Sequence, residues 1–420
     1  MKKVLSYIVV FFVVAGCGCK ERIPDDPIPD TSGSKTIIAY FFGTSLSYYL
    51  DRNVVAMKSA LSNGFMGKNR FILYRQKTAA KAEIQEMYYD AESNEVRIDV
   101  LEELDTTTPL TAESFGDKIK KMVDYAPADT YSLICLGHAT AWLPATPALR
   151  AYSRKYVPSM DKMPGAMVTR TIGEPSNTLL DIEDFADGLE YAGVKFDCIH
   201  FDMCFMSSIE AAYALRNVTG YIVGSPCEIM GSGAPYDLML ELFYKGDYNE
   251  MCKTFVDYYN TEGGYPSGCL TTIDCSKLDR VASAMKRVNA QPAAEEFDIR
   301  KIQSYEGRTD HWFFDLVDYC ENICRDAAVV AELKTSLSEC VPYTYHTDEF
   351  YSAYNNRFNA IFNYCGVALT PDEKCFEATE RILESLSDES VAYNQLETQL
   401  ATLEYYNLSL RQTEWYKATH

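Results

Sequence analysis

The chain has 420 residues, 47% apolar and 24% charged, which excludes wholesale disorder and leaves room for two domains, or one large core with an appended lobe. Its 60 acidic residues against 39 basic ones give a net charge of −21, a poor match to a phosphate backbone, so no nucleic-acid partner is expected. Histidine is scarce, 5 against 31 tyrosines, so each histidine can be weighed as a candidate base.

Residues 1–16 carry Lys2 and Lys3 ahead of an apolar run from Val4 to Ala15. That run is shorter than the ~20 residues that cross a bilayer and fits the apolar region of a secretory signal. The stretch Val14-Ala15-Gly16-Cys17 resembles a bacterial lipobox. The resemblance implies cleavage before Cys17, lipid on its sulfur, and an exported, lipid-anchored place in the bacterial cell envelope. Residues 17–34, proline-rich and acidic, read as a flexible tether that holds a folded body off a membrane.

Apolar runs at 36–42, 70–74, 96–101, 131–136, 197–201 and 221–224 predict buried strands. Helical patterns at 115–124 and 182–191 lie between them. Alternation of this kind predicts an α/β core over 35–290, a largely parallel sheet covered by helices on both faces. Active sites of such sheets gather at the carboxyl ends of the strands. Residues 291–420 read as a mainly helical C-terminal region, with helices expected at 329–340 and 373–386. Residues 365–370 read as a late strand that rejoins the sheet. The segment 143–178 lacks periodicity and is locally basic, with Arg150, Arg154, Lys155, Lys162 and Arg170 against Asp161 and Glu174. A loop that long is expected to be functional or mobile.

The 14 cysteines show no zinc-like spacing. Cys320 and Cys324 are a candidate pair, and free buried thiols are the expectation for most of the others. No cofactor or metal is expected. The acidic cluster 181–187 could take calcium, though no motif supports that and a solvated helix face explains it better.

Two strand ends carry the chemistry. One runs out through Gly137-His138-Ala139-Thr140-Ala141-Trp142, the other through Asp202-Met203-Cys204-Phe205-Met206 into a helical run. A cysteine ahead of a helix N-terminus is a candidate thiolate, and a histidine from a neighbouring strand end is its candidate base. His200 competes for that role, but on one strand four residues span roughly 13 Å. His311, His346 and His420 lie in the C-terminal region. Strand alternation predicts Asp202 and Cys204 on one face, about 6–7 Å apart. A carboxylate there suits a substrate cation; the alternative is a cap on the following helix.

At these residues the chain resembles the clostripain family of cysteine peptidases, which have the caspase-like fold. The matching residues are Gly137–Trp142, Asp202–Met206, Glu210-Ala211-Ala212-Tyr213, Gly224-Ser225, and Gly231-Ser232-Gly233-Ala234-Pro235-Tyr236. The resemblance implies a His138–Cys204 dyad, and an oxyanion held by the backbone N–H groups of Ala139 and Cys204. Asp202 and Ser225 would bind substrate, with Lys or Arg favoured at P1. It also implies maturation by cleavage at a basic residue between His138 and Cys204, where 143–178 lies. Two residues depart from the family pattern: Ala139 stands where glycine is usual, and Gly137 where aspartate is. If the position after the histidine needs φ > 0, Ala139 is strained. The expected function is a surface-anchored cysteine endopeptidase cutting after Lys or Arg. The alternative is a caspase-like lipoprotein that binds peptides or glycans without cleaving them.

Overall fold

A computed structural model describes residues 34–44, 46–106, 110–143, 180–261, 265–292, 297–307, 312–371 and 408–420. Its first strands are β1 (Lys35–Phe41), β2 (Arg70–Thr78), β3 (Lys81–Asp90) and β4 (Glu95–Asp105). They are followed by β5 (Thr130–Leu136), β6 (Phe196–Asp202), β7 (Thr219–Gly224) and β8 (Cys269–Asp274). With β9 (Phe314–Asp315) set aside, β10 (Tyr343–His346) completes a nine-stranded sheet in the order β10-β8-β7-β6-β5-β1-β2-β3-β4. The five central strands, β2-β1-β5-β6-β7, are parallel. Antiparallel strands close both ends.

The central strands are apolar on both faces because both are covered. Ile38, Tyr40, Leu133, Cys135, Ile199 and Phe201 join one core, and Ile37, Ala39, Phe41, Ile134, Leu136 and Cys198 join the other. The second core is completed by α1 (Ser47–Leu61), α5 (Tyr236–Lys245) and α6 (Tyr248–Thr261). The first is completed by α2 (Ala112–Tyr125), α3 (Ile182–Ala192), α4 (Ile209–Leu215) and α7 (Leu278–Asn289). Sequence alone passed over β3, whose alternating charges and alanine disguise a strand. It pairs with β4, whose acidic exposed face suits a sheet edge.

Beyond residue 291 the described residues form α8 (Leu316–Ile323), α9 (Ala327–Cys340) and α10 (Glu414–Thr419), with β9, β10, β11 (Glu349–Ser352), β12 (Arg357–Ala360) and β13 (Ala368–Leu369). The expected helix at 329–340 lies within α9; the one at 373–386 falls outside the described residues. Residues 365–370 do not rejoin the main sheet as expected. The edge beyond β8 is taken by β10, and β13 pairs with β9 in a ladder of its own. The Ala368 N–H then donates to the Ser207 carbonyl at 2.9 Å. The C-terminal chain is thereby strapped across the segment that follows β6.

Helices α2 and α3 meet glycine to glycine. A Cβ on Gly116 would lie 2.5 Å from the Gly188 carbonyl oxygen, and one on Gly188 would lie 2.7 Å from the Ala112 carbonyl oxygen. Such contact requires both glycines. Gly116→Ala should force the helices apart and cost about 1–3 kcal/mol in chemical denaturation. An unchanged midpoint would contradict the close crossing.

Candidate active site

The site is set by one register. In the parallel ladder of β5 and β6, Leu136 pairs with Asp202, the last residue of each strand. His138 and Cys204 each lie two residues further on, at the same carboxyl edge of strands about 4.8 Å apart. The two exits touch at Gly137. Its φ is +151°, which L side chains rarely adopt, and a Cβ there would lie 3.0 Å from Phe42 and 3.2 Å from Met203 Cε. This accounts for glycine before the histidine.

After Gly137 the chain carries half-buried His138 and buried Ala139 into a turn closed by the Leu143 N–H on the Thr140 carbonyl, at 3.1 Å. Ala139 is not a positive-φ residue; Ala141 is, at φ +54°. The strain expected at the position after the histidine therefore falls two residues later. Phe205, directly after Cys204, is also left-handed, at φ +61°. It is held there by its N–H on the Cys227 carbonyl at 3.1 Å and by a stack on Phe313 with ring centroids 4.7 Å apart. Non-glycine residues in this region store of order 1–3 kcal/mol each and cluster at functional sites.

The segment after β7 forms the third wall. The Ile229 N–H donates to Cys204 Sγ at 3.3 Å. Asp202 Oδ2 accepts from the Ala234 N–H at 3.1 Å and the Tyr236 hydroxyl at 3.0 Å. Ser225 receives the Ser207 N–H on its carbonyl at 3.0 Å and the Cys227 N–H on its hydroxyl at 3.1 Å. Asn53 and Tyr259 donate to the carbonyls of Ser232 and Gly233. Glu228 accepts the Ala353 N–H. The 225–236 segment is thus pinned from several sides against Cys204 and Asp202.

Several expectations change. β6 ends at Asp202, so strand alternation does not set the face of Cys204. The two residues are related instead through the 225–236 segment, which both address. Asp202 does not cap the next helix; Ser208 does, accepting the Ala211 N–H at 3.2 Å. Four residues separate Cys204 from α4, while a dipole acts within about one turn. The amide aimed at the sulfur is that of Ile229, while the Cys204 thiol, fully buried, faces the Ile229 carbonyl at 3.9 Å. His200 lies inside β6, fully buried, with Nδ1 3.2 Å from the Val223 carbonyl oxygen. His346 lies in β10, and His420 stacks on Tyr416. Cys17, the 17–34 tether apart from Ser34, His311 and residues 144–178 fall outside the described residues.

Every described cysteine is a free thiol, Cys320 and Cys324 included. Cys320 Sγ faces Met285 Sδ and Cys324 Sγ faces the Asp326 carbonyl. Burial holds the thiols of Cys135, Cys198 and Cys365 well above the ordinary value, which keeps them protonated and inert. Among the described residues no group of three or more His, Cys, Asp or Glu side chains is placed to hold a metal, the 181–187 cluster included. No described helix is long and apolar enough to cross a membrane.

The clostripain-family model matches residues 40–415. The chain belongs to the clostripain family. No curated protein matches it. Among solved structures, a secreted C11 cysteine protease from Bacteroides thetaiotaomicron, "iotapain", is similar at 27% identity and TM-score 0.74, covering 92% of this chain and 99% of that one. An inactive zymogen C11 protease from Parabacteroides distasonis shares the fold at 23% identity and TM-score 0.72, over 94% and 100% of the two chains. A secreted C11 cysteine protease from Bacteroides thetaiotaomicron, in complex with an irreversible peptide inhibitor, shares it at 22% and 0.70, over 92% and 99%. The expected caspase-like architecture of the clostripain family is therefore the architecture found, and cysteine peptidases of this family need no cofactor.

Further hydrogen bonds, which the sequence did not disclose, surround His138 and Cys204. Ile229 aims an amide at Cys204. Glu210, Thr370 and Trp142 form a buried hydrogen-bonded chain behind the two exits. Burial pushes the Glu210 carboxyl up to about 7, opposed by hydrogen bonds from the Thr370 N–H and the Ser208 hydroxyl. Trp142 and Glu210 lie in the motifs that matched the family, whereas nothing in the sequence pointed to these bonds of Ile229 and Thr370.

Placing the strain at Ala141 has a direct consequence. Ala141→Gly should raise stability by about 1 kcal/mol, since a left-handed alanine costs roughly 1–2 kcal/mol, partly offset by backbone entropy. Ala139→Gly should give no such gain. Thermal melts of both variants in a Cys204→Ala background check this, and a gain at Ala139 alone would contradict it.

Proposed function

We propose that the chain is a cysteine endopeptidase that cuts after Lys or Arg, with Cys204 as nucleophile and His138 as acid–base partner. One observation carries the reading: the two residues leave neighbouring parallel strands at equal offset from the Leu136–Asp202 pair. Cys204, as thiolate, attacks the scissile carbonyl and forms a carbon–sulfur bond. The backbone N–H groups of Ala139 and Cys204 receive the oxyanion. His138, as imidazolium, gives its proton to the leaving amine as the C–N bond breaks. Water, deprotonated by His138, then hydrolyses the thioester and frees Cys204. The ordinary φ of Ala139 favours this reading over a non-cleaving one, because an alanine without positive φ can offer its N–H as glycine would.

Asp202 is the proposed acceptor of the P1 cation, with Ser225, at the start of the 225–236 segment, as a second proposed substrate contact. The carboxylate is fully buried and held by Ala234 and Tyr236. A P1 side chain reaches it only as the 225–236 segment gives way. Export and a lipid on Cys17 place the enzyme at the bacterial envelope; residues 1–17 support this, as does the secreted relative at 27% identity. Segment 143–178, with its five basic residues, is the proposed site of self-cleavage.

Cleavage of Arg, Lys and Gln peptides by three proteins tests the reading. Cys204→Ala should abolish turnover and leave the fold intact. Asp202→Asn should lower kcat/KM for Arg and Lys substrates by roughly 10- to 150-fold, the worth of a charge-assisted hydrogen bond, and spare Gln substrates. Cleavage that persists in Cys204→Ala would end the peptidase reading. A uniform loss across substrates with a lower melting temperature would end the role of Asp202 at P1.

A further inference from the structure

Thr370 lies 160 residues from Glu210 and 228 from Trp142 in sequence, yet it bonds to both. Its backbone N–H donates to Glu210 Oε1 at 2.6 Å. Its hydroxyl oxygen accepts the Trp142 indole N–H at 2.8 Å. All three residues are buried. Each end of this bridge sits on one half of the dyad. Trp142 lies in the turn that follows His138, directly after strained Ala141. Glu210 sits in α4, and its second oxygen accepts the hydroxyl of Ser208 at 2.9 Å. Ser208 in turn bonds back through its N–H to the carbonyl of Phe205, the residue after Cys204. The strap is fastened once more by the Ser207 hydroxyl on the Gly366 carbonyl at 2.6 Å and the Ala368 N–H on the Ser207 carbonyl.

We propose that Thr370 is a positioning residue of the dyad, a clamp that fixes the His138 turn against the Cys204 turn through Trp142 on one side and Glu210 on the other. The inference rests on the His138–Cys204 reading above and adds to it a third element, 166 residues beyond Cys204 in the C-terminal strap. Its physical basis is that both exits hold a left-handed non-glycine residue, Ala141 and Phe205. Such turns relax unless the surroundings over-determine them. Phe205 has its own anchors in Cys227 and Phe313. For the turn around Ala141, the Trp142–Thr370 bond supplies a tie to the nucleophile side. Loss of that tie lets His138 drift relative to Cys204, and small displacements of reacting groups cost rate rather than substrate affinity.

The experiment compares Thr370→Val, Thr370→Ser and Trp142→Phe in the full chain. Thr370→Val is nearly isosteric and removes only the hydroxyl acceptor. Thr370→Ser keeps it. Two readouts are taken: kcat and KM on a basic peptide, and the pH dependence of iodoacetamide alkylation of Cys204, with His138→Ala as reference. Thr370→Val should lower kcat by roughly tenfold with KM within about twofold, and should shift the alkylation profile toward that of His138→Ala. Thr370→Ser should restore both. Trp142→Phe combined with Thr370→Val should lose no more than either alone, because the two remove the same bond. A Thr370→Val enzyme with wild-type kcat and alkylation profile would overturn the inference and leave the dyad standing. A wild-type alkylation profile identical to that of His138→Ala would overturn both.

Discussion

Everything at the site depends on how β5 and β6 are aligned. Parallel strands with side chains alternating every residue tolerate no small error of register, since a slip of one flips each side chain to the other face. The apolar residues of both strands enforce the alignment from two sides. Leu133, Cys135, Ile199 and Phe201 belong to one core, and Ile134, Leu136 and Cys198 to the other. The pairs Ser132–Cys198 through Leu136–Asp202 follow. Once they are fixed, the residues two beyond the last pair leave adjacent strands at equal offset. Hydrophobic burial over the whole sheet thereby sets where half-buried His138 and fully buried Cys204 leave its carboxyl edge.

The rim itself is not regular structure, and it is held by strain balanced against anchors. Gly137, Ala141 and Phe205 all have φ values that ordinary L residues avoid. The anchors come from far away in sequence: Ile229 and Cys227 from the segment after β7, Phe313 from the strand pair near the C-terminus, and Thr370 from the strap. The C-terminal chain therefore shares in the site, with β10 closing the sheet edge and residues 366–370 crossing behind the nucleophile turn.

How much of this the sequence disclosed follows from the range of the interactions. Apolar runs announced the five parallel strands, because strands buried on both faces need near-continuous hydrophobicity. The exits were legible too, since a run such as Leu133–Leu136 that breaks into Gly137 and His138 departs sharply from its own pattern. Local conformation was less legible. Alanine at 139 and 141 looks alike in sequence, and only the closed turn shows that the second one carries the positive φ. Nor could local reading find the helix cap at Ser208 in place of Asp202, because the strand end had to be known first. The bonds that anchor the site were hidden. Glu210 stood in a matching motif, but its role, like those of Ile229 and Thr370, exists only through partners 25 to 228 residues away.

On the proposed reading the Leu136–Asp202 register delivers His138 to Cys204 as a working pair. The rate of Cys204 alkylation by iodoacetamide, followed from acid to neutral pH in wild type and in His138→Ala, tests it without any assumption about substrate. An imidazolium beside the sulfur favours the thiolate. The account predicts that wild-type Cys204 reacts at pH values where ordinary thiols are silent, and that His138→Ala moves this reactivity to higher pH. Identical profiles in the two proteins, both with the ordinary thiol's rise, would contradict it.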